Sequence, residues 1–205
     1  MKKARFTALQ LLVHGAGWLP LAWLVFDFLT DNLTANPIQA IEQRSGIHAI
    51  TFLLFSLACT PLASILDWKE LPLRRKALGN YGFLYAAVHV ATFFILDYGL
   101  NLAAIWRDVA TKSFIILGAI AFLLLLPLAA TSFRFWMKRL GKNWKRLHRL
   151  VYLITPLVVV HFFMAKKGDL LNLSGDIFQP FLYGGLAVAL LLLRLPPIKK
   201  RLSRV

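Results

Sequence analysis

The chain has 205 residues, 59% of them hydrophobic and only 16% charged, with a mean hydropathy of +0.65. Soluble domains average about 45–50% apolar and 25% charged residues, so a soluble globular fold is excluded. Aromatics at 13% likewise exclude low-complexity disorder. The net charge of +15 resembles that of a nucleic-acid-binding domain. Its placement does not: the basic residues cluster at the ends of apolar runs, where they orient membrane helices. No nucleic-acid partner is expected.

Six apolar runs follow one another at about 9–28, 47–66, 79–98, 114–133, 147–164 and 178–195, each near the ~20 residues that cross a ~30 Å hydrocarbon layer. The first follows Met-Lys-Lys-Ala-Arg, as in a secretory leader. It outruns the ~7–15 apolar residues of a leader and no A-x-A site follows, so it reads as a membrane helix. Lys and Arg then fall on alternate sides. One side receives Lys2, Lys3 and Arg5; Lys69, Arg74, Arg75 and Lys76; Arg134, Lys138, Arg139, Lys142, Lys145, Arg146 and Arg149; and Arg194, Lys199, Lys200, Arg201 and Arg204. The other receives only Arg44, Arg107, Lys112, Lys166 and Lys167, a split of 19 to 5 among 24. That bias over short loops places both termini in the cytoplasm. The expected fold is an all-α integral membrane protein, a six-transmembrane-helix bundle forming one domain over residues 1–205.

No loop exceeds about twenty residues, no internal repeat is visible, and no GxGxxG or Walker-type stretch exists to hold a nucleotide. Any reductant or energy source must therefore come from outside the chain. The single cysteine, Cys59, lies inside an apolar run, and neither CxxC nor CxxCH occurs, so no iron–sulfur cluster or covalent haem is encoded.

The five histidines, His14, His48, His89, His148 and His161, all lie within or at the ends of the runs. Ionisable side chains at membrane depth are costly and mark function by default. The plain alternative is a neutral imidazole that joins two helices. Several in one small bundle favour axial ligation of b-type haem, whose usual ligand is imidazole. At ~1.5 Å per residue His14 lies ~8 Å deep, His89 ~15 Å and His161 ~21 Å from the cytoplasmic side. His148 sits at the cytoplasmic mouth and His48 at the outer surface. Depth thus pairs His89 with His161, and leaves His14 and His148 in the inner layer. On an ideal helix His148 and His161 lie about 140° apart, so they share a face only if the helix is rotated between them, where Pro156 stands.

Other chemistries fit poorly. The serines stand in no G-x-S-x-G elbow, and no HExxH is present. A proton-coupled transporter would carry acids in mid-span, and none of the nine acids is expected there. A small transporter with purely structural histidines remains the reading from a different class. Gly15, Gly17, Gly184 and Gly185 read as close helix packing. Trp136 and Trp144 read as interfacial anchors.

Arg74–His89 (RRKALGNYGFLYAAVH) and Leu140–His161 (LGKNWKRLHRLVYLITPLVVVH) resemble the MsrQ family, as do Val13–Leu24 (VHGAGWLPLAWL), Thr60-Pro61-Leu62 and Thr131-Ser132. The likeness runs over nearly the whole chain, and Leu-Gly-x-x-Trp-x-x-Leu-His is its most specific part. It places the chain in the wider ferric-reductase-like transmembrane group, with the NADPH oxidases. The resemblance implies an electron-transfer subunit, not the catalytic one, in the bacterial inner membrane, with haem b and FMN as cofactors. Electrons would come from the quinone pool or a cytosolic flavin reductase. They would pass to a partner in a heterodimer, a periplasmic molybdopterin-containing methionine sulfoxide reductase that repairs oxidised periplasmic proteins. A free-standing ferric or quinone-linked haem reductase is the alternative within the same chemistry. His89, His148 and His161 match the family's haem-ligand histidines, and His14 a family histidine on the first helix. NADPH oxidases carry two histidines on each of two helices, whereas the third run here has His89 alone. One bis-histidine haem is expected; His14 and His148 either complete a second haem site or serve quinone or flavin.

Overall fold

A computed structural model describes residues 6–166, 168–169 and 174–195. Lys2, Lys3, Arg5, Lys167, Lys199, Lys200, Arg201 and Arg204 lie outside these, as does the Asp169 side chain. The described chain is helical except for one antiparallel pair, Gly168–Asp169 with Ser174–Gly175. It divides into two compact units, one up to Thr92 and one from Phe93 onward.

In the first unit α1 spans Ala8–Leu29, α2 Pro37–Ile65 and α3 Leu71–Ala91, which runs on into a wide π turn at Thr92–Asp97. Thr7 caps α1 by accepting from Gln10 N. Asn36 caps α2 in the same way, with Pro37 at the first helical position, where a missing N–H costs nothing. Those start signals set α2 ten residues ahead of its expected start, so its first turns are polar and contain Glu42 and Arg44. α3 likewise starts eight residues early, at Leu71 rather than 79.

α2 packs along α3, and α1 touches both. Gly82 makes the approach close: a Cβ there would lie 3.3 Å from the Ala49 carbonyl and the Leu53 nitrogen. Around it Val13, Phe52, Cys59, Leu78, Tyr81 and Tyr85 form the core. The fully buried Tyr85 stacks on Phe52 at 5.5 Å and donates its hydroxyl to the Gly17 carbonyl at 2.8 Å. Outward faces stay apolar. Leu11, Leu12, Trp18, Leu19, Trp23 and Phe26 of α1 are all more than half exposed, which a membrane helix presents to lipid and a soluble one would not.

The second unit holds α4 (Leu102–Thr111), α5 (Ser113–Ala130), α6 (Arg134–Leu140), α7 (Lys142–Leu147), a 3₁₀ turn at His148–Leu150, α8 (Val151–Ala165) and α9 (Phe178–Leu192). α5 packs along α8, α8 on α9 and α4 on α5. α4, expected as loop, is a capped amphipathic helix that buries Ile105 and exposes Leu102 and Trp106. Gly141 turns α6 into α7 at φ +49° and ψ −117°, a conformation only glycine adopts without strain.

Among the described residues five stretches are long and apolar enough to cross a membrane: Ala8–Leu29, Pro37–Ile65, Leu71–Asp97, Ser113–Ala130 and Lys142–Ala165. Phe178–Leu192 is apolar but shorter, at 15 residues. The chain is therefore a multi-pass helical membrane protein.

Candidate functional site

His89 sits near the end of α3. Its Nδ1 donates to the main-chain carbonyl of Glu42 on α2, at 2.9 Å. His161 sits near the end of α8, and its Nδ1 donates to the carbonyl of Phe114 on α5, at 2.7 Å. His148 occupies the 3₁₀ turn, and its Nδ1 donates to the carbonyl of Trp144, one turn back on α7, at 3.1 Å. A carbonyl oxygen only accepts, so all three rings carry their proton on Nδ1. In the neutral ring the lone pair is then on Nε2. This is the tautomer in which a histidine ligates a metal while its other nitrogen is anchored.

The three anchors differ in kind. His89 and His161 reach to a neighbouring helix, so their rings are fixed by tertiary packing. His148 bonds its own segment and stacks on Trp144, ring centroids 3.9 Å apart. Trp144 in turn donates its indole N–H to the Thr131 carbonyl at the end of α5, 2.9 Å away. Trp144 thus clamps His148 to the end of α5. Arg139 lies over the Trp136 ring at 5.8 Å.

The 3₁₀ turn also answers the question of facing. Three residues at 120° in place of 100° bring His148 and His161 from about 140° to about 80° apart. The rotation needed between them lies at His148–Leu150, ahead of Pro156.

His14 is exposed, and its described partner is Tyr81, with Nδ1 and the hydroxyl 2.9 Å apart. A hydroxyl can donate or accept, so this contact leaves the tautomer open. His48, to which no role was attached, lies against Tyr85 at 5.2 Å and lines a groove of about 290 Å³ with Leu19, Pro20, Trp23, Leu24 and Arg44. The groove is almost wholly apolar.

Asp27 lies inside α1, is 2% exposed and pairs with Arg44 of α2. Asp108 is held by Lys112 and Tyr98, and Asp176 by Lys166. The Lys112 ammonium and the Tyr98 hydroxyl hold Asp108 below the usual carboxylate range.

Among the described residues no three His, Cys, Asp or Glu side chains converge on one point.

Residues 45–159 match the family described as the ferric reductase like transmembrane component. A Caulobacter vibrioides protein is 39% identical over 94% of this chain and 91% of its own length. A Xanthomonas euvesicatoria protein is 40% identical over 90% of this chain and 84% of its own. One from Rhodospirillum rubrum is 37% identical over 94% and 89%. Each is named the heme-binding subunit MsrQ of a protein-methionine-sulfoxide reductase. The chain belongs to the MsrQ family.

The two longest of the stretches that carry the resemblance contain the anchored histidines. His89 closes the first, and His148 and His161 lie in the second. In this MsrQ family member the Trp-x-x-Leu-His run has a visible reason. Trp144 and His148 stand four apart, the spacing that puts two side chains on one helical face, and there the rings stack.

Proposed function

We propose that the protein is a b-type haem membrane subunit that carries electrons across the bacterial inner membrane to a periplasmic molybdopterin-containing methionine sulfoxide reductase. It is the electron-transfer subunit of that heterodimer, with the quinone pool or a cytosolic flavin reductase as donor. One observation carries the haem reading. His89 and His161, inside apolar spans, each spend Nδ1–H on a carbonyl of a neighbouring helix and so hold the lone pair on Nε2. Membership of a family whose relatives are named heme-binding subunits supports it. FMN rests on the resemblance alone.

In this reading His89 and His161 would be the residues that hold one haem. Bound there, haem b supplies a one-electron couple at membrane depth. The chain's own part is to fix two imidazoles in the ligating tautomer, one on α3 and one on α8, each within an apolar span. His148 and His14 belong to the inner layer and serve a second haem, a quinone or a flavin. Phe178–Leu192 forms the sixth span, and both termini are cytoplasmic, as the 19-to-5 split of Lys and Arg supports.

The test is spectroscopic. The purified protein should show a Soret band and, on reduction, sharp α and β bands. His89→Ala and His161→Ala should each lose most of the haem while the protein still inserts. If both variants keep a full, unshifted Soret band, the ligand assignment is wrong. Copurification of a periplasmic molybdoenzyme that accepts the electrons distinguishes the proposed role from that of a free-standing reductase.

A further inference from the structure

His89 and His161 are held by one construction, built twice. In both cases the accepting carbonyl belongs to the residue 47 positions earlier, Glu42 for His89 and Phe114 for His161. One turn further along the accepting helix stands a glycine, Gly46 or Gly118, 43 positions before its histidine. Each glycine lies against the imidazole. A Cβ on Gly118 would come within 2.8 Å of Cε1 and 2.9 Å of Nδ1 of His161; one on Gly46 would come within 3.3 Å of Nδ1 of His89. The helices correspond as well, since α2 packs along α3 as α5 packs along α8. A shift of 72 residues maps Glu42 to Phe114, Gly46 to Gly118 and His89 to His161.

The acceptors share nothing as side chains, one acidic and one aromatic. What repeats is a main-chain oxygen followed, one turn on, by a residue without a Cβ. The two parts need each other. The carbonyl can fix the ring only if the ring lies close to the helix that bears it, and any side chain one turn along would hold it off. His148 lacks this arrangement, because its Nδ1 bond stays within its own segment and Lys76 stands at the mapped position.

We infer that Gly46 and Gly118 are positioning residues: with the Glu42 and Phe114 carbonyls they form a duplicated cradle that sets the tautomer and direction of the His89 and His161 rings. What Nε2 then serves rests on the haem reading; the cradle itself does not. At Gly118 the overlap is with the imidazole, so the ring must turn away and stretch or lose its bond to Phe114. At Gly46 the same displacement is a few tenths of an ångström.

The experiment compares Gly118→Ala and Gly46→Ala with Gly185→Ala, a control whose Cβ would meet nothing within 4 Å. In haem-free protein labelled with ¹⁵N-histidine, wild type should show His89 and His161 protonated on Nδ1. Gly118→Ala should deplete that tautomer at His161 only. In haem-loaded protein, outer-shell changes of this kind cost about 10–100-fold in metal affinity. Gly118→Ala should show that loss with a shifted low-spin electron paramagnetic resonance signal. Gly46→Ala should shift the signal and the midpoint potential while keeping most of the haem, and Gly185→Ala should match wild type. Wild-type tautomer, signal and affinity in Gly118→Ala would overturn the inference. Should that variant not fold, a Gly46→Ala protein indistinguishable from wild type would overturn it instead. A wild type that takes up no haem yet shows both rings protonated on Nδ1 would defeat the haem reading and support the cradle.

Discussion

The ion pair between Asp27 and Arg44 joins two helices, and its two ends are unequally buried. The Asp27 side chain is 3% exposed and the Arg44 side chain 38%. The next nearest donor to Asp27 is the Asn32 amide, at a long 3.5 Å. Removing the arginine therefore strands a carboxylate, whereas removing the aspartate leaves a guanidinium that can turn to water or headgroups. Breaking a buried pair from one side costs about 3–5 kcal/mol, and the nearby Asn32 argues for the lower end. Removing the buried aspartate, which leaves only the more exposed and solvated arginine, costs about 1 kcal/mol or less. Arg44→Ala should thus destabilise by about 2 kcal/mol more than Asp27→Ala, roughly a 30-fold difference in unfolded population. The double variant should fall near Asp27→Ala alone, because both charges are then gone. Unfolding in mixed micelles, followed by circular dichroism, measures all three. Equal costs, or costs that simply add, would refute the argument from unequal burial. The pair also bears on the site: Arg44 stands between Glu42 and Gly46, so Arg44→Ala should weaken retention at His89 before the protein unfolds.

Two further outcomes are expected. Gly17→Ala would drive a Cβ into the ring of the buried Tyr81, an overpacking worth about 1–3 kcal/mol, and should release His14 from the Tyr81 hydroxyl. A lowered melting midpoint with a changed His14 signal by nuclear magnetic resonance checks this, with Gly15→Ala, which meets nothing within 4 Å, as the unchanged comparison. Asp108, depressed from its ordinary value of 3.8 by Lys112 and then Tyr98, is more acidic folded than unfolded. Its contribution is present above that ordinary value and is lost as pH falls through the lower folded one. Asp108→Asn should lose this stability on the neutral side and converge with the wild type in acid, flattening the acid-side fall of the melting curve, and an unchanged pH profile would sink the assignment.

What the sequence made legible follows from which forces it displays. Membrane helices are apolar on every face, so five runs appeared within a few residues at the ends set by hydropathy: Phe28 against Leu29, or 114 against Ser113. Ends set by capping were missed. Asn36-Pro37 is a helix start in plain view, yet the polar turns after it carry no hydropathy signal, and α2 was begun ten residues late. α4 was missed although Asn101 caps it and Leu102, Ile105, Trp106 and Val109 recur at helical spacing. The pairing of Asp27 was hidden for the same reason, since its partner, Arg44, belongs to that unrecognised part of α2.

The candidate site divides along the same line. Imidazoles are side chains, so His89, His148 and His161 were visible as candidates from their depth and spacing alone. What holds them is main chain: the Glu42, Phe114 and Trp144 carbonyls. A carbonyl is present at every residue, so no residue type announces the one that matters. The only trace such an anchor leaves in sequence is the glycine that lets the ring approach, and a lone glycine in a membrane helix reads as ordinary packing. The same reasoning explains why the two halves of the chain show no repeat to the eye. Main-chain anchoring frees the acceptor position to be acidic in one unit and aromatic in the other, while the positions that must be kept, Gly46 with His89 and Gly118 with His161, are too few to register. The rotation between His148 and His161 is of this kind too. It comes from three residues of tighter backbone at His148–Leu150. Pro156 drew attention because it is a residue; the 3₁₀ turn did not because it is a conformation.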